Sequence, residues 1–350
     1  MKKITMQLDN EYDILIGQGI MNSLGQYLSA IASPCRLMLV SDSNVFPIYG
    51  PAVTEGLEKA GFTVYTHIIP AGERSKTPHS LVSLWEDMAE YKFSRSDMAV
   101  ALGGGVVGDL TGFAAATYMR GLKYAAVPTS LLAMVDSSVG GKTAVDLKAG
   151  KNLAGAFYQP CLVLCDTDAL NSLPGEYFSD GMAEVIKYGM ISSVDILDGL
   201  DKYDGGQLTD IIALCIREKQ RIVETDEFDK GVRQLLNFGH TAGHAIERLS
   251  DYTISHGRAV AMGMHIMAKY GVSEGLIDVS VYERLNRLTE KFKLDGKCPY
   301  SATDLYEAAL TDKKTSGGGI TLAVLHGEGR SDLVTVPVKF LKTVFEKGLE

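Results

Sequence analysis

From residue 35 to about residue 130, short β-rich apolar runs alternate with amphipathic stretches, and this alternation limits the possible folds more than any other feature. Residues 36–40, 63–69 and 98–102 read as strands, and residues 50–60 and 80–91 read as helices. Strands interleaved with helices of that length build a parallel sheet covered by helices. After a Gly- and Lys-rich stretch at 139–155 the texture changes. From about Asp180 to Leu310 the spacing is helical almost throughout, as in Ile211, Leu214, Cys215 and again in Ala259, Met262, Gly263, Ile266. Strand-like segments remain near 162–164 and 320–325. A second, mainly helical domain is therefore expected, and 350 residues suffice for two domains at roughly 150 each.

The charge balance narrows the partners. Lys and Arg total 34 against 43 Asp and Glu, a formal net charge of −9, so long-range attraction to nucleic acid or an anionic membrane is not expected. The first ten residues alternate Ile4, Met6, Leu8 without an apolar core, unlike a signal peptide or an anchor. Cys35, Cys161, Cys165, Cys215 and Cys298 are an odd number with no CxxC pair, which suits buried thiols in a reducing cytosol better than a disulfide framework. The Cys161/Cys165 pair reads as core packing rather than a metal site.

Three groups of residues carry chemistry. The strand at 98–102 runs into GGGVVGD (103–109) and then a small-residue helix read as 110–117. Glycines leading into a helix N-terminus let backbone N–H groups approach a pyrophosphate, and the helix dipole favours its charge. The spacing differs from GxGxxG, and GGKT (140–143) lacks the first glycine of a Walker A loop. Pro70 to Lys76 follows a strand, where Glu73 and Lys76 could meet ribose hydroxyls.

The second group is metal-binding in character. Three of only seven histidines, His240, His244 and His256, fall within 17 residues, and Glu184 lies in GMAEVIKYG. One carboxylate and two imidazoles leave an open position, as in a catalytic zinc site. Spacing alone pairs His240 with His244 on one helix face. Thr241 occupies the glutamate position of HExxH, which disfavours a zincin-type protease. His67, His79, His265 and His326 have no ligand-like company.

The third group is cationic within an acidic chain: Lys142, Lys151 with Asn152, Lys187 one turn from Glu184, and Arg233 one turn from Asn237. Such charges in glycine-rich or apolar surroundings call for an anionic ligand, and a phosphate plus a carboxylate fits the set best.

Taken together, GGGVVGD, FAAATYMRG, SSVGGKT, GKNLAGAFYQP, GMAEVIKYG and RQLLNFGHTAGHAIE resemble the 3-dehydroquinate synthase family, in the family's order and over nearly the whole chain. The resemblance implies a dehydroquinate synthase-like fold, α/β plus α: a Rossmann-like parallel-sheet domain over residues 1–175 that binds NAD, and a mainly helical domain over 176–350 that binds metal and substrate. The expected cofactors are NAD and Zn2+ or Co2+, held in the cleft between the domains. The expected reaction turns 3-deoxy-D-arabino-heptulosonate 7-phosphate into 3-dehydroquinate and phosphate by transient oxidation, β-elimination, re-reduction and an intramolecular aldol closure.

By the same resemblance Glu184, His240 and His256 are the metal ligands, and His244 is a proton-transfer group. NAD meets Asp42, Asn44, Glu73, Lys76, Gly104, Gly105, Val106, Asp109, Thr129, Ser130, Lys142 and Lys151. The substrate meets Asp136, Lys142, Lys151, Asn152, Lys187, Lys219, Arg233, Asn237 and one of Lys313 or Lys314, and Arg120 reaches the phosphate on the partner of a cytoplasmic homodimer. Two positions depart from the family pattern, Arg258 and Asp229, each where glutamate is usual. The alternatives are another sugar phosphate cyclase, whose substrate lacks the carboxylate that Arg233 and Asn237 suit; a metal-dependent polyol dehydrogenase, marked by net release of NADH; and a non-enzymatic binding module.

Overall fold

The computed structural model describes residues 1–294, 296–312 and 319–350, so Lys313 and Lys314 lie outside the described residues. The chain divides into two compact units, Met1–Leu173 and Pro174–Glu350.

In the first unit β1 (Lys2–Met6) and β2 (Tyr12–Gly17) pair antiparallel, followed by α1 (Leu24–Ser29). The alternation then runs β3 (Arg36–Asp42), α2 (Phe46–Lys59), β4 (Thr63–Ile69), α3 (Pro78–Glu90), β5 (Met98–Gly103), α4 (Gly105–Thr117) and β6 (Lys123–Pro128). A hairpin, β7 (Lys142–Leu147) and β8 (Gly150–Phe157), precedes β9 (Leu162–Asp166). The sheet order is β1-β2-β9-β6-β5-β3-β4, and every pairing except β1 with β2 is parallel. All six residues of β5 are buried, as an apolar strand covered on both faces requires. Helix α3 shows the local logic: Thr77 caps it by accepting from the Ser80 N–H, Pro78 fits its first turn, and Leu81, Leu84 and Met88 face the core.

One element corrects the sequence reading and another adds to it. Helix α4 begins at Gly105, not Leu110. Glycines weaken a helix by about 1 kcal/mol each, but close packing requires them here. A Cβ on Gly112 would lie 2.4 Å from Thr143 Cγ2, and one on Gly105 would lie 3.0 Å from Ser137 Oγ. The Gly- and Lys-rich stretch at 139–155 is mostly hairpin, with Gly155 so close to β7 that a Cβ would meet the Thr143 carbonyl oxygen. The cysteines are free thiols, but only Cys165 and Cys215 are buried as expected, while Cys35, Cys161 and Cys298 are partly exposed; burial pushes Cys161 up to about 11 and Cys165 higher still.

The second unit contains α5 (Gly175–Ser192), α6 (Val194–Asp201), α7 (Leu208–Thr225), α8 (His240–Leu249), α9 (His256–Ser273), α10 (Val279–Lys291) and α11 (Ala302–Asp312). A hairpin of β10 (Gly319–Gly327) and β11 (Arg330–Pro337) and the helix α12 (Phe340–Leu349) complete it. Every residue of α5 from Ser179 to Ile191 is buried, which makes it the helix around which the others pack. Gly257 and Gly263 on α9 sit where a Cβ would strike the Asp180 backbone at 2.3 Å and the Gly239 carbonyl oxygen at 1.9 Å. The start of α9 is thereby fixed close to α5, and the start of α8 close to α9. No helix among the described residues is long and apolar enough to cross a membrane.

Candidate active site

The topology of the first unit marks one place for a ligand. Strand β4 lies on one side of β3, and the chain then returns to place β5, β6 and β9 on the other side. At such a reversal the loops leaving the two strand carboxyl ends diverge and open a crevice. Asp42 ends β3 and Asn44 follows it, while Gly104 leads from β5 into Gly105 and Val106, the first residues of α4. Asp42 Oδ1 accepts from the Asn44 and Val45 N–H groups at 2.8 and 3.0 Å. A Cβ on Gly104 would meet Ser130 Oγ at 3.5 Å, so Gly104 and Ser130 line the same turn, and the Thr129 N–H donates to Gly103 O.

Beside this turn five polar residues converge. Lys76 is buried, and its Nζ lies 2.6 Å from Asp109 Oδ2 and donates to Asn152 Oδ1 at 2.6 Å. Glu73 stands 3.8 Å from Lys76 and 3.9 Å from Lys151. Burial pushes the Asp109 carboxyl up to about 6 although Lys76 and its hydrogen bond oppose the shift. Burial would lower Lys76, but Asp109 and Glu73 outweigh it and raise the ammonium.

A stability test follows from Asp109. Its folded value, about 6, lies above its ordinary carboxylate value, so the folded chain holds that proton more tightly. The resulting stabilisation is complete below the ordinary value and is lost as pH rises through 6. It amounts to about 3 kcal/mol at 1.36 kcal/mol per unit. In urea unfolding between pH 4 and 6, Asp109→Asn is expected to flatten the decline seen in the wild type. Identical slopes would contradict the burial of this charge.

The second unit carries side chains that could hold a metal ion. Glu184 is fully buried on α5, one turn before Lys187, with which its Oε2 forms a buried ion pair. Its Oε1 lies 3.4 Å from His240 Nε2 and 3.3 Å from His256 Nε2. Ligands bound about 2.0–2.1 Å from a tetrahedral zinc are about 3.3 Å from one another, so this carboxylate and these two imidazoles match the edges of such a site. The residues present fit a divalent ion. Burial would raise Glu184, but Lys187 and His240 hold it well below the ordinary carboxylate range. Burial and Lys187 push His240 down to about 4, which keeps its ring neutral. Burial would also lower His256, but hydrogen bonds to Glu184 and Glu247 raise it to about 10.

The i, i+4 spacing of His240 and His244 does bring their rings edge to face at 5.4 Å. His244 is exposed, however, and groups with Glu247 and His256 rather than with Glu184. Glu247 was not among the expected site residues. The signal for it was present, because positions 240, 244 and 247 recur on one face of α8.

The remaining expected residues take varied places. Lys219 is buried on α7, and Arg233 is buried on the turn Val232–Asn237 that ends in Asn237. Asp226 shapes that turn by accepting from the N–H groups of Lys230, Gly231 and Arg233, and the Arg233 guanidinium donates to the Glu227 carbonyl. In the first unit Asp136 is half-buried and Lys142 is exposed at the start of β7. Arg120 is exposed, with Met119, Arg120 and Gly121 all at positive φ. Of the two family departures, Arg258 is exposed and Asp229 is half-buried at φ 57°.

This architecture is shared with solved structures. A 2-deoxy-scyllo-inosose synthase crystallised with carbaglucose-6-phosphate, NAD+ and Co2+ is 27% identical, covers 99% of this chain and 100% of its own, and superposes with a TM-score of 0.89. An iron containing alcohol dehydrogenase is 15% identical, covers 97% of both chains and has a TM-score of 0.67, a likeness of fold alone.

Family models for the 3-dehydroquinate synthase N-terminal and C-terminal regions match residues 66–180 and 181–315. A 3-dehydroquinate synthase of Clostridium acetobutylicum is 42% identical over 341 residues, covering 94% of this chain and 95% of the relative. One from Enterococcus faecalis is 39% identical over 353 residues and covers 99% of both. The chain belongs to the 3-dehydroquinate synthase family, whose members are phosphate-eliminating cyclases.

Proposed function

We propose that this chain converts 3-deoxy-D-arabino-heptulosonate 7-phosphate to 3-dehydroquinate and inorganic phosphate, with NAD and a divalent metal as cofactors. Its identity with 3-dehydroquinate synthases over almost the whole chain carries the reading. The Glu184, His240, His256 set supports the metal, and the 27% identical cyclase crystallised with NAD+ and Co2+ supports both cofactors.

When bound, the nicotinamide accepts and returns a hydride while the ion polarises a substrate oxygen. The chain's own residues do the rest. N–H groups of Gly104, Gly105 and Val106 at the start of α4 meet the cofactor's pyrophosphate with Lys76 and Lys151, and Asp42, Asn44 and Glu73 accept from its hydroxyls. Thr129, Ser130, Asp109 and Lys142 complete that set. Glu184, ionised, would hold the metal with His240, whose ring is neutral, and with His256, which would release the Nε2 proton on binding it.

Arg233 and Asn237, with Lys313 or Lys314, fix the substrate carboxylate. Asp136, Lys142, Lys151, Asn152, Lys187 and Lys219 orient its hydroxyls and phosphate, and Arg120 serves the phosphate bound by a second copy in a cytoplasmic homodimer. His244 moves a proton at the ring hydroxyl where oxidation begins. The resulting ketone acidifies the neighbouring C–H, and phosphate leaves by β-elimination, its own oxygen taking that proton. Substrate held in place by many cations supplies orientation rather than new covalent chemistry.

With NAD+ below the enzyme's own concentration and a divalent metal present, the purified protein is expected to release phosphate from the heptulosonate phosphate over many turnovers. No net absorbance should build at the reduced-nicotinamide band. Stoichiometric accumulation of reduced cofactor would instead indicate a dehydrogenase.

A further inference from the structure

The metal-binding nitrogen of His256 has to be chosen, because an imidazole offers two. His256 Nε2 faces Glu184 Oε1 at 3.3 Å, while Nδ1 lies 3.1 Å from Glu247 Oε2. Glu247 is 5% exposed, on the buried side of α8. The backbone at His256 is fixed separately. Ser255, which precedes α9, donates from its Oγ to Asp180 Oδ1 at 2.6 Å, and Gly257 packs against the Asp180 backbone. Asp180 stands one turn before Glu184 on the same helix α5. The ring is thus held at its base through Asp180 and Ser255, leaving its rotation about χ2 to be set by whatever Nδ1 meets.

We propose that Glu247 is a positioning residue: it accepts the Nδ1–H of His256 and so commits Nε2, as the unprotonated nitrogen, to the metal. This rests on Glu184, His240 and His256 being the ligands. It also decides between the two donor sets that share His256, since His244, Glu247 and His256 lie close enough together to bind an ion themselves. In the positioning role Glu247 never touches the metal. A carboxylate behind a ligating imidazole raises the basicity of the ligand and fixes its tautomer, and its loss costs about 10–100-fold in metal affinity.

The test is competition for Zn2+ against a chromophoric chelator, with wild type, Glu247→Ala and Glu247→Gln compared. One ion per chain is expected in all three. Alanine should weaken affinity by about 10–100-fold, and glutamine, whose amide oxygen still accepts from Nδ1–H, should recover most of that loss. An Nδ1–H proton resonance of His256 should be present in the wild type and the glutamine variant and absent from the alanine variant. Unchanged affinity in Glu247→Ala would overturn the proposal. Glutamine no better than alanine would also overturn it, making Glu247 a ligand. A wild type that binds no Zn2+ would instead refute the metal centre itself, and the role of Glu247 with it.

Discussion

His256→Ala is expected to lose stoichiometric metal, whereas His244→Ala keeps the metal and loses turnover. The two side chains are near neighbours, with ring centroids 6.2 Å apart, so general damage to the region would affect both variants alike. Their partners differ. His256 Nε2 stands 3.3 Å from the buried Glu184 carboxylate, and its removal leaves two protein ligands where a catalytic site needs three. His244 is exposed and belongs to no group with Glu184. Loss of a general acid or base lowers turnover by about 10²–10⁴-fold. Metal content after gel filtration, together with single-turnover phosphate release, separates the outcomes. The reverse pattern would make His244 the ligand, as the i, i+4 spacing alone suggested.

The second large effect is on stability. Glu184→Gln removes the charge opposite Lys187, and both side chains are almost completely buried. Breaking a buried pair from one side leaves an uncompensated charge and costs about 3–5 kcal/mol. Urea unfolding with excess chelator, which removes any contribution from metal binding, should show that loss. The double variant Glu184→Gln, Lys187→Met should regain most of it, because no buried charge is then left unpaired. A single variant as stable as the wild type would contradict the ion pair. So would a double variant no more stable than the single.

The fold was legible where local signals agreed. Residues 63–69 are β-branched and aromatic and form β4 with the expected limits, and the fully apolar run at 98–102 extends by one glycine into β5. The start of α4 was not legible, because glycines at 105, 108 and 112 argue locally against a helix, and packing against Ser137 and Thr143 accounts for those at 105 and 112. The hairpin β7–β8 was hidden for a similar reason. Its Lys and Gly residues carry little strand propensity, and its buried positions, Thr143 to Val145, are few.

At the site, residue types were readable and their partnerships were not. Spacing can show that 240 and 244 share a face. It cannot show that the first residue of α9 turns its Nε2 toward a carboxylate 72 positions away on α5. That contact arises from helix packing through Gly257 and Gly263, which no periodicity records. The Lys76 cluster is similar: Asn152 reaches Lys76 only because β7 and β8 fold back together, with Asp146 Oδ1 accepting from the Asn152 N–H.

The central claim is that one hydride leaves the substrate and returns to it within a single turnover. The most direct measurement uses heptulosonate phosphate carrying deuterium on the carbon that is oxidised, turned over with unlabelled NAD+ in large excess. Mass spectrometry should find the label retained in the cyclised product and none in the bulk cofactor. Deuterium accumulating in free reduced nicotinamide, or product formed without it, would contradict the claim.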